Sequence, residues 1–333
     1  MTAHVDQIGT TKDLMAVATA STSETLDVQI RVATWEAPDI ISYEMKSLDG
    51  SPLPPFTAGA HIDLLLPNGL VRSYSLLNDQ TERHRYVIAV QKDPASRGGS
   101  KWVHENFHVG DIARIAKPQN NFPLNETAES SIFIAGGIGI TPIISMIARL
   151  SSLGRKWELV YCARKRSAAA FLNALKGSVR FNFDDEPGGR MLDIASVIAS
   201  APSAAHFYCC GPSSMLSAFE VATQNIDQQR VHLEYFTNAT PPALAGGFKV
   251  FLARSNMELD VLPGSTILDA LIDAGLNVSY SCMEGVCASC ETKVLEGIPD
   301  HRDVVLSEKE RSEGKTIMIC CSGSKTKRLV LDL

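Results

Sequence analysis

Hydrophobic and polar positions change rhythm twice along the chain. From Leu26 to about Leu124 the apolar segments are short. Some alternate, as in Val28-Gln-Ile-Arg-Val32 and His61-Ile-Asp-Leu-Leu65, and one runs unbroken, Tyr86-Val-Ile-Ala-Val90. A period of two puts alternate side chains on one face of a strand. Turns at Pro52 to Pro55 and at Pro67-Asn-Gly69 separate these segments. Short strands at this spacing predict an antiparallel β-barrel.

From Ser130 strands alternate with helices. The pattern predicts strand Ser131–Ala135, a tight loop Gly136–Thr141 and a helix from Pro142 to Leu153, with proline in its first turn. Strand Glu158–Cys162, helix Ala168–Leu175, strand Val179–Phe183, helix Leu192–Ser200 and strand His206–Cys210 follow. Helix Ser213–Gln224 and strand Val231–Phe236 close the series. This is the pattern of an α/β parallel sheet covered on both faces. Pro241-Pro242 and Gly246-Gly247 mark a linker. Beyond it, a hairpin Phe248–Leu252 with Met257–Val261 leads to a helix Ser265–Ala274 that starts at Ser265 or Thr266. Strands Glu291–Leu295, Ile317–Cys320 and Leu329–Leu333 complete a small β-grasp-like module. The expected organisation is an N-terminal extension 1–24, a barrel 25–127, an α/β domain 128–236, a linker 237–247 and a C-terminal module 248–333.

Composition narrows the class. The 333 residues are 45% hydrophobic and 20% charged, as in ordinary soluble proteins. A net charge of −6 gives no footprint for nucleic acid. The longest apolar run, Ile132 to Leu150, is interrupted by Gly136-Gly137, Gly139 and Thr141-Pro142, so no membrane span is expected. Met1 to Glu24 lacks the apolar segment of a signal peptide and reads as a mobile extension. Eight cysteines, two pairs of them adjacent, do not resemble a disulfide framework, which fits a reducing cytoplasm.

Four of these cysteines carry the strongest pattern. Cys282, Cys287 and Cys290 read C-x4-C-x2-C, and Cys320 follows after 29 residues. That is the plant-type [2Fe–2S] ligand spacing. Gly285, Ala288 and Ser289 are small, as a loop folded over a cluster requires. Two other readings stay open. A structural zinc site also takes four thiolates, usually as two C-x2-C pairs, and free cysteines also pack as small hydrophobes.

Weaker signals surround it. Arg72-Ser-Tyr-Ser75 offers a guanidinium for a phosphate, a ring for a flat cofactor and a hydroxyl for a ring nitrogen. Arg97-Gly-Gly-Ser100 stands ahead of a helical segment, where free amides suit an anion. Gly136–Thr141 and Cys210-Gly-Pro212 fall beyond the carboxyl ends of strands, where parallel sheets bind ligands. Arg164-Lys-Arg166 could hold a phosphate or be solvated, and Asp184-Asp-Glu186 would repel a 2′-phosphate or form a solvated turn; the two point opposite ways on NADH against NADPH.

Taken in order, these motifs and the C-terminal Leu-Val-Leu-Asp-Leu resemble the phthalate dioxygenase reductase family, which includes vanillate demethylase reductases. The likeness runs from about Leu26 to Leu333. It implies an FMN-binding antiparallel β-barrel, an NAD-binding α/β domain and a C-terminal ferredoxin. By that resemblance Arg72, Ser73, Tyr74 and Ser75 contact the flavin, with Ser75 near N5, and Ala89, Val90 and Gln91 line its ring. Arg97, Gly98, Gly99 and Ser100 hold the FMN phosphate. Thr141 lies beside the flavin, Phe236 covers it, and Gly137 and Gly139 approach the dinucleotide. Cys210, Gly211 and Pro212 border the nicotinamide, and Cys282, Cys287, Cys290 and Cys320 bind iron. Ser75, Cys210 and Phe236 are the residues expected nearest the hydride transfer.

The chemistry agrees with that order. NADH releases two electrons together and an iron–sulfur centre accepts one, so a flavin must stand between them. The expected acceptor is a Rieske-type aromatic oxygenase meeting a monomer at Met283, Glu284 and Val286. The alternatives are an FAD-containing reductase serving another monooxygenase, and a redox sensor that holds the cluster alone.

Overall fold

The computed structural model describes residues 24–94, 98–238 and 240–333. The N-terminal extension up to residue 23 and the candidate Arg97 lie outside the described residues.

The first sheet uses β1 (Thr25–Ala37), β2 (Ile40–Ser47), β3 (His61–Leu65), β4 (Val71–Ser75), β5 (Tyr86–Gln91) and, after helix α1 (Gly99–Asn106), β6 (Ile112–Ala116). It has six strands in the order β4-β3-β6-β1-β2-β5, every neighbouring pair antiparallel. The inward positions predicted by alternation, among them Val28, Ile30, Ile62, Leu64 and Ile88, form one buried core. β1 carries register shifts between Ile30 and Val32 and between Trp35 and Ala37. Such bulges bend a strand and let a sheet curl. The end strands β4 and β5 come against each other without ladder pairing among the described residues.

The second sheet is parallel throughout. Its strands are β7 (Ser130–Gly136), β8 (Lys156–Ala163), β9 (Val179–Phe183), β10 (His206–Cys210) and β11 (Val231–Glu234), in the order β11-β10-β7-β8-β9. Phe133 and Ala135 pack on α2 (Ile140–Ser152) through Ile143, Met146 and Leu150. Ile132 and Ile134 face the opposite layer, α3 (Ile194–Ser200) and α4 (Ser213–Thr223). Burial on both faces explains why β7 reads as an unbroken apolar run.

The third sheet contains β12 (Phe248–Leu252), β13 (Met257–Val261), β14 (Glu291–Glu296), β16 (Thr316–Met318) and β18 (Arg328–Leu331), in the order β13-β12-β18-β14-β16. A small pair, β15 (Pro299–Asp300) and β17 (Gly323–Ser324), lies apart from it. Helix α5 (Ile267–Asp273) is capped by Thr266, which exchanges hydrogen bonds with Asp269. Of the two residues considered as its start, Thr266 is therefore the cap. Helix α6 (Glu308–Glu313) has the same capping box from Ser307 and Glu310, a helix the sequence reading did not predict.

Three predicted elements differ. Residues 168–175 do not form a helix: a 3-10 turn at Arg166–Ala168 leads into further turns. Phe171 adopts φ 63°, which a helix excludes. Ala170 and Phe171 instead pack against Ala37, Ile40 and Ala89 of the first sheet, and that tertiary burial overrides helical preference. The strand expected to reach Phe236 stops at Glu234. The strand expected to reach Cys320 stops at Met318, leaving the cysteine in a turn.

The first two sheets share a tight seam. The Gly59 amide donates to Ser145 Oγ at 3.2 Å, and Arg149 pairs with Glu126 at 2.7 Å. Gly59 has φ 90°, and a methyl there would overlap the Phe122 carbonyl. Gly59→Ala is expected to cost about 1–3 kcal/mol from overpacking and backbone strain. Thermal unfolding of the variant checks this, and an unchanged transition would show that the seam can relax.

Candidate redox site

The loop that follows α5 has no helix or strand between Leu276 and Cys290. It turns through left-handed backbone at Met283 (φ 56°), Gly285 (φ 72°) and Ala288 (φ 58°). These turns bring four buried thiols together. Cys282 Sγ accepts hydrogen bonds from the amides of Glu284 at 3.3 Å and Val286 at 3.4 Å, and Cys287 Sγ accepts one from the Cys282 amide at 3.4 Å. The Cys282 thiol also meets those of Cys287 and Cys320, and Cys320 meets Cys290. Hydrogen bonding from the Cys287 thiol first, and from Cys320 and the Val286 amide besides, holds Cys282 toward the thiolate.

These residues fit a [2Fe–2S] group. Four sulfurs converge and amides already point at them, as a negatively charged cluster requires. The Ser289 hydroxyl is buried beside Cys287 without a well-formed hydrogen bond. The thiol contacts run from Cys287 through Cys282 and Cys320 to Cys290. All eight cysteines are free, so none of the four is committed to a disulfide. Cys321 Sγ lies against Gly285 and toward the Met318 carbonyl, touching Cys320.

The loop docks on the first sheet. Ser281 Oγ lies 3.4 Å from Ser73 Oγ, which donates to Asp63 Oδ1 at 2.6 Å. His61 is buried next to Asp63 and close enough to feel the charge of Cys282. Burial drives its imidazole toward the neutral form, against the pull of those two groups. The strand pair carrying the Arg72–Ser75 motif therefore also faces the thiols.

Other candidates group at the far end of that motif. Ser75 is buried, opposite His61 in the ladder, and Tyr74 packs on the first core. Gly99 presses on the Arg72 side chain, which brings the start of α1 to the guanidinium. Gly98 is the left-handed N-cap of α1, and Ser100 Oγ accepts from the Asp93 amide at 3.1 Å. Ala89 is buried beside Ile138 of the Gly-rich turn. Val90 points into the barrel core and Gln91 is exposed.

On the nucleotide side the two loops touch. A methyl on Gly139 would overlap the Cys210 carbonyl, and Gly136 and Gly211 meet each other and Met215. Gly137 faces open space instead. Thr141 is buried with its hydroxyl donating to the Ile138 carbonyl at 3.0 Å, and Pro212 opens α4. Phe236 lies beyond β11, 36% exposed.

Sequence reasoning missed Glu234. It pairs with Cys210 across β10 and β11, and Cys210 Sγ sits 3.9 Å from its Oε2. An acid ending an apolar strand two residues before Phe236 was the available signal. Burial pushes its carboxyl up to about 8 and raises the Cys210 thiol well above its usual range. The folded protein thus prefers neutral Glu234. That contribution to stability is complete below about pH 4.5 and is lost as pH climbs toward about 8. Glu234→Gln is expected to flatten this decline in a pH series of thermal unfolding; a slope identical to that of the unaltered protein would refute it.

Residues 250–324 match the family described as 2Fe-2S iron-sulfur cluster binding domain. The phenoxybenzoate dioxygenase subunit beta of Ectopseudomonas oleovorans is 52% identical over 320 residues, 95% of this chain and 100% of that protein. The solved phthalate dioxygenase reductase, described as modular for electron transfer from pyridine nucleotides to [2Fe–2S], is 39% identical with a TM-score of 0.73. That match covers 93% of this chain and 98% of the other. An intact type IV self-sufficient cytochrome P450 monooxygenase matches with a TM-score of 0.81 at 36% identity, over 93% of this chain and 41% of that longer one. With four thiols gathered in a loop that docks on the first sheet, and with these relatives, the chain is an NADH-dependent flavin and iron–sulfur oxidoreductase that belongs to the phthalate dioxygenase reductase family.

Proposed function

We propose that this reductase feeds single electrons to a Rieske-type aromatic oxygenase as a cytoplasmic monomer, with FMN as its flavin. The observation that carries the reading is the docking of the thiol loop on the strand of the Arg72–Ser75 motif, through Ser281 and Ser73. It puts the exit for single electrons beside the proposed flavin site. The proposed units are residues 25–127 for FMN, 128–236 for NADH and 248–333 for the cluster, joined by the linker 237–247.

Each group has residues suited to it. Arg72 and the start of α1, Gly98 to Ser100, offer positive charge and a helix N-terminus for the FMN phosphate. Ser73, Tyr74, Ser75, Ala89 and Gln91 border the ring, with Val90 offering only its backbone there, and Thr141 and Phe236 close over it. Gly137 leaves room for the dinucleotide, with Gly139, Gly211 and Pro212 shaping the floor. Cys210 and the half-buried, neutral Glu234 border the nicotinamide end without adding a fixed anion. Flavin chemistry accepts a hydride and returns its electrons singly. Cys282, Cys287, Cys290 and Cys320 hold the irons, and Met283, 41% exposed, offers an apolar contact at the rim for the oxygenase. No helix among the described residues is long and apolar enough to cross a membrane.

A second acceptor class has specific support. The same fold occurs within a P450 monooxygenase chain, so a monooxygenase partner is the alternative. Rates of reduction with a purified Rieske oxygenase and a purified P450 separate the two.

Iron, flavin mass and absorption before and after anaerobic NADH test the assignment. One FMN and two irons per chain are expected, both chromophores bleaching. Colourless protein with zinc on the thiols would end it. Cys287→Ala should lose NADH-driven cytochrome c reduction while keeping ferricyanide reduction at the flavin. Equal loss of both would place the cysteine outside the proposed electron path.

A further inference from the structure

The thiol loop takes much of its support from outside its own module. Within the module, the Val304 amide reaches the Gly285 carbonyl at 3.0 Å and the Glu291 amide reaches that of Ala288 at 2.9 Å. Two other carbonyls, one on a ligand cysteine and one between ligands, take side-chain donors from elsewhere. Asn121 Nδ2 donates to the Cys287 carbonyl at 2.6 Å. Asn238 Nδ2 donates to the Glu284 carbonyl at 3.0 Å and to the Arg302 carbonyl at 2.6 Å.

Both asparagines are themselves held. Asn121 lies between β6 and β7, where the first two sheets join. Its neighbour Asn120 donates to Thr57 Oγ1 at 2.7 Å and to the Ala58 carbonyl at 3.0 Å, and accepts from the Phe122 amide at 3.0 Å. Phe122 is buried edge-on against Tyr208. Asn238 stands in the linker, where its Oδ1 accepts from the Thr240 amide at 2.9 Å. The junction of the first two sheets, through Asn121, and the linker, through Asn238, thus each reach the cluster loop at one point.

Peptide planarity gives these contacts a consequence. In a trans peptide the carbonyl and the next N–H point in opposite directions. A donor that holds the Cys287 carbonyl fixes the Ala288 N–H on the side away from that donor. A donor on the Glu284 carbonyl does the same for the Gly285 N–H. Inward amides stabilise the added negative charge when an iron–sulfur group is reduced, and so raise its potential.

We propose that Asn121 and Asn238 are positioning residues for electron transfer from the flavin to the iron–sulfur group. They act through the Cys287 and Glu284 carbonyls and set both the placement of the group and its readiness to be reduced. In each event one electron leaves the NADH-reduced flavin and enters the oxidised cluster. No covalent bond forms or breaks. The role does not depend on which oxygenase takes the electron next.

The test uses full-length protein loaded with flavin and iron. In Asn121→Asp an acceptor replaces the donor facing a carbonyl, and in Asn238→Ala the donor is removed. NADH–ferricyanide activity, read at the flavin, should stay unchanged. Flavin-to-cluster transfer, read by stopped flow, should slow about tenfold, the order expected for one strong hydrogen bond. An EPR-monitored redox titration should show a lower cluster potential, which loosened packing of a distant domain would not produce. Asn121→Ser, with a shorter donor, should fall between. Unchanged transfer and potential in both primary variants would overturn the proposal. If Asn121→Asp fails to retain iron, Asn238→Ala and Asn121→Ser decide by the same two readings.

Discussion

A loop that wraps an iron–sulfur cluster turns its amides toward sulfur, so it has few left to build a sheet or helix. From Leu276 to Cys290 the chain forms neither. Its carbonyls point the other way and need donors, and an unmade buried bond costs about 1–3 kcal/mol. Much of the molecule answers that need. Asn121, Asn238 and Val304 supply donors from the sheet junction, the linker and the loop's own module. Ser281 meets Ser73 on the strand proposed for the flavin. Stabilising the loop and docking it are therefore one event. That coupling suits a chain whose electron path has to cross between separate sheets.

The opposite end of the path has a different constraint, close approach. Gly139 lies on the Cys210 carbonyl and Gly136 on Gly211, so the two loops proposed for the nucleotide meet backbone to backbone. The cost falls on polarity, because Glu234 ends up half-buried beside Cys210, where desolvation disfavours its charged form. Such a carboxyl protonates instead of carrying charge. A neutral acid beside a thiol leaves that end of the strands without a fixed anion, which suits the nicotinamide placement proposed above.

How much of this was legible follows from the length scale of each signal. The four cysteines and the Gly-rich turn are local patterns with narrow physical purposes, and they stood out in the sequence. The strands β7 and β10 were plain because burial on both faces makes them uniformly apolar. Residues 168–175 misled because their composition suits a helix, while their conformation is set by Ala37, Ile40 and Ala89 more than seventy positions away. Glu234 was hidden for a similar reason. Its meaning comes from Cys210 on a neighbouring strand, which periodicity does not report. The asparagines at 121 and 238 carried no signal, since each is an ordinary loop residue until its partner carbonyl is seen.

The seam between the flavin strand and the thiol loop is polar, and a polar seam is a weaker source of stability than an apolar one. Ser73, Asp63 and His61 are at least half-buried there, and His61 Nε2 lacks a hydrogen-bond partner. Apolar contact would hold the units together more strongly, but it is non-directional. Two smooth surfaces could slide by an ångström at little cost. Hydrogen bonds between Ser73 and Ser281, and between Asn121 and Cys287, fix angle as well as distance. Electron transfer falls steeply as the gap between carriers widens, so a seam of directional bonds protects the quantity the protein depends on. Stability is then left to the apolar clusters of the three sheets and to the one that joins the first two.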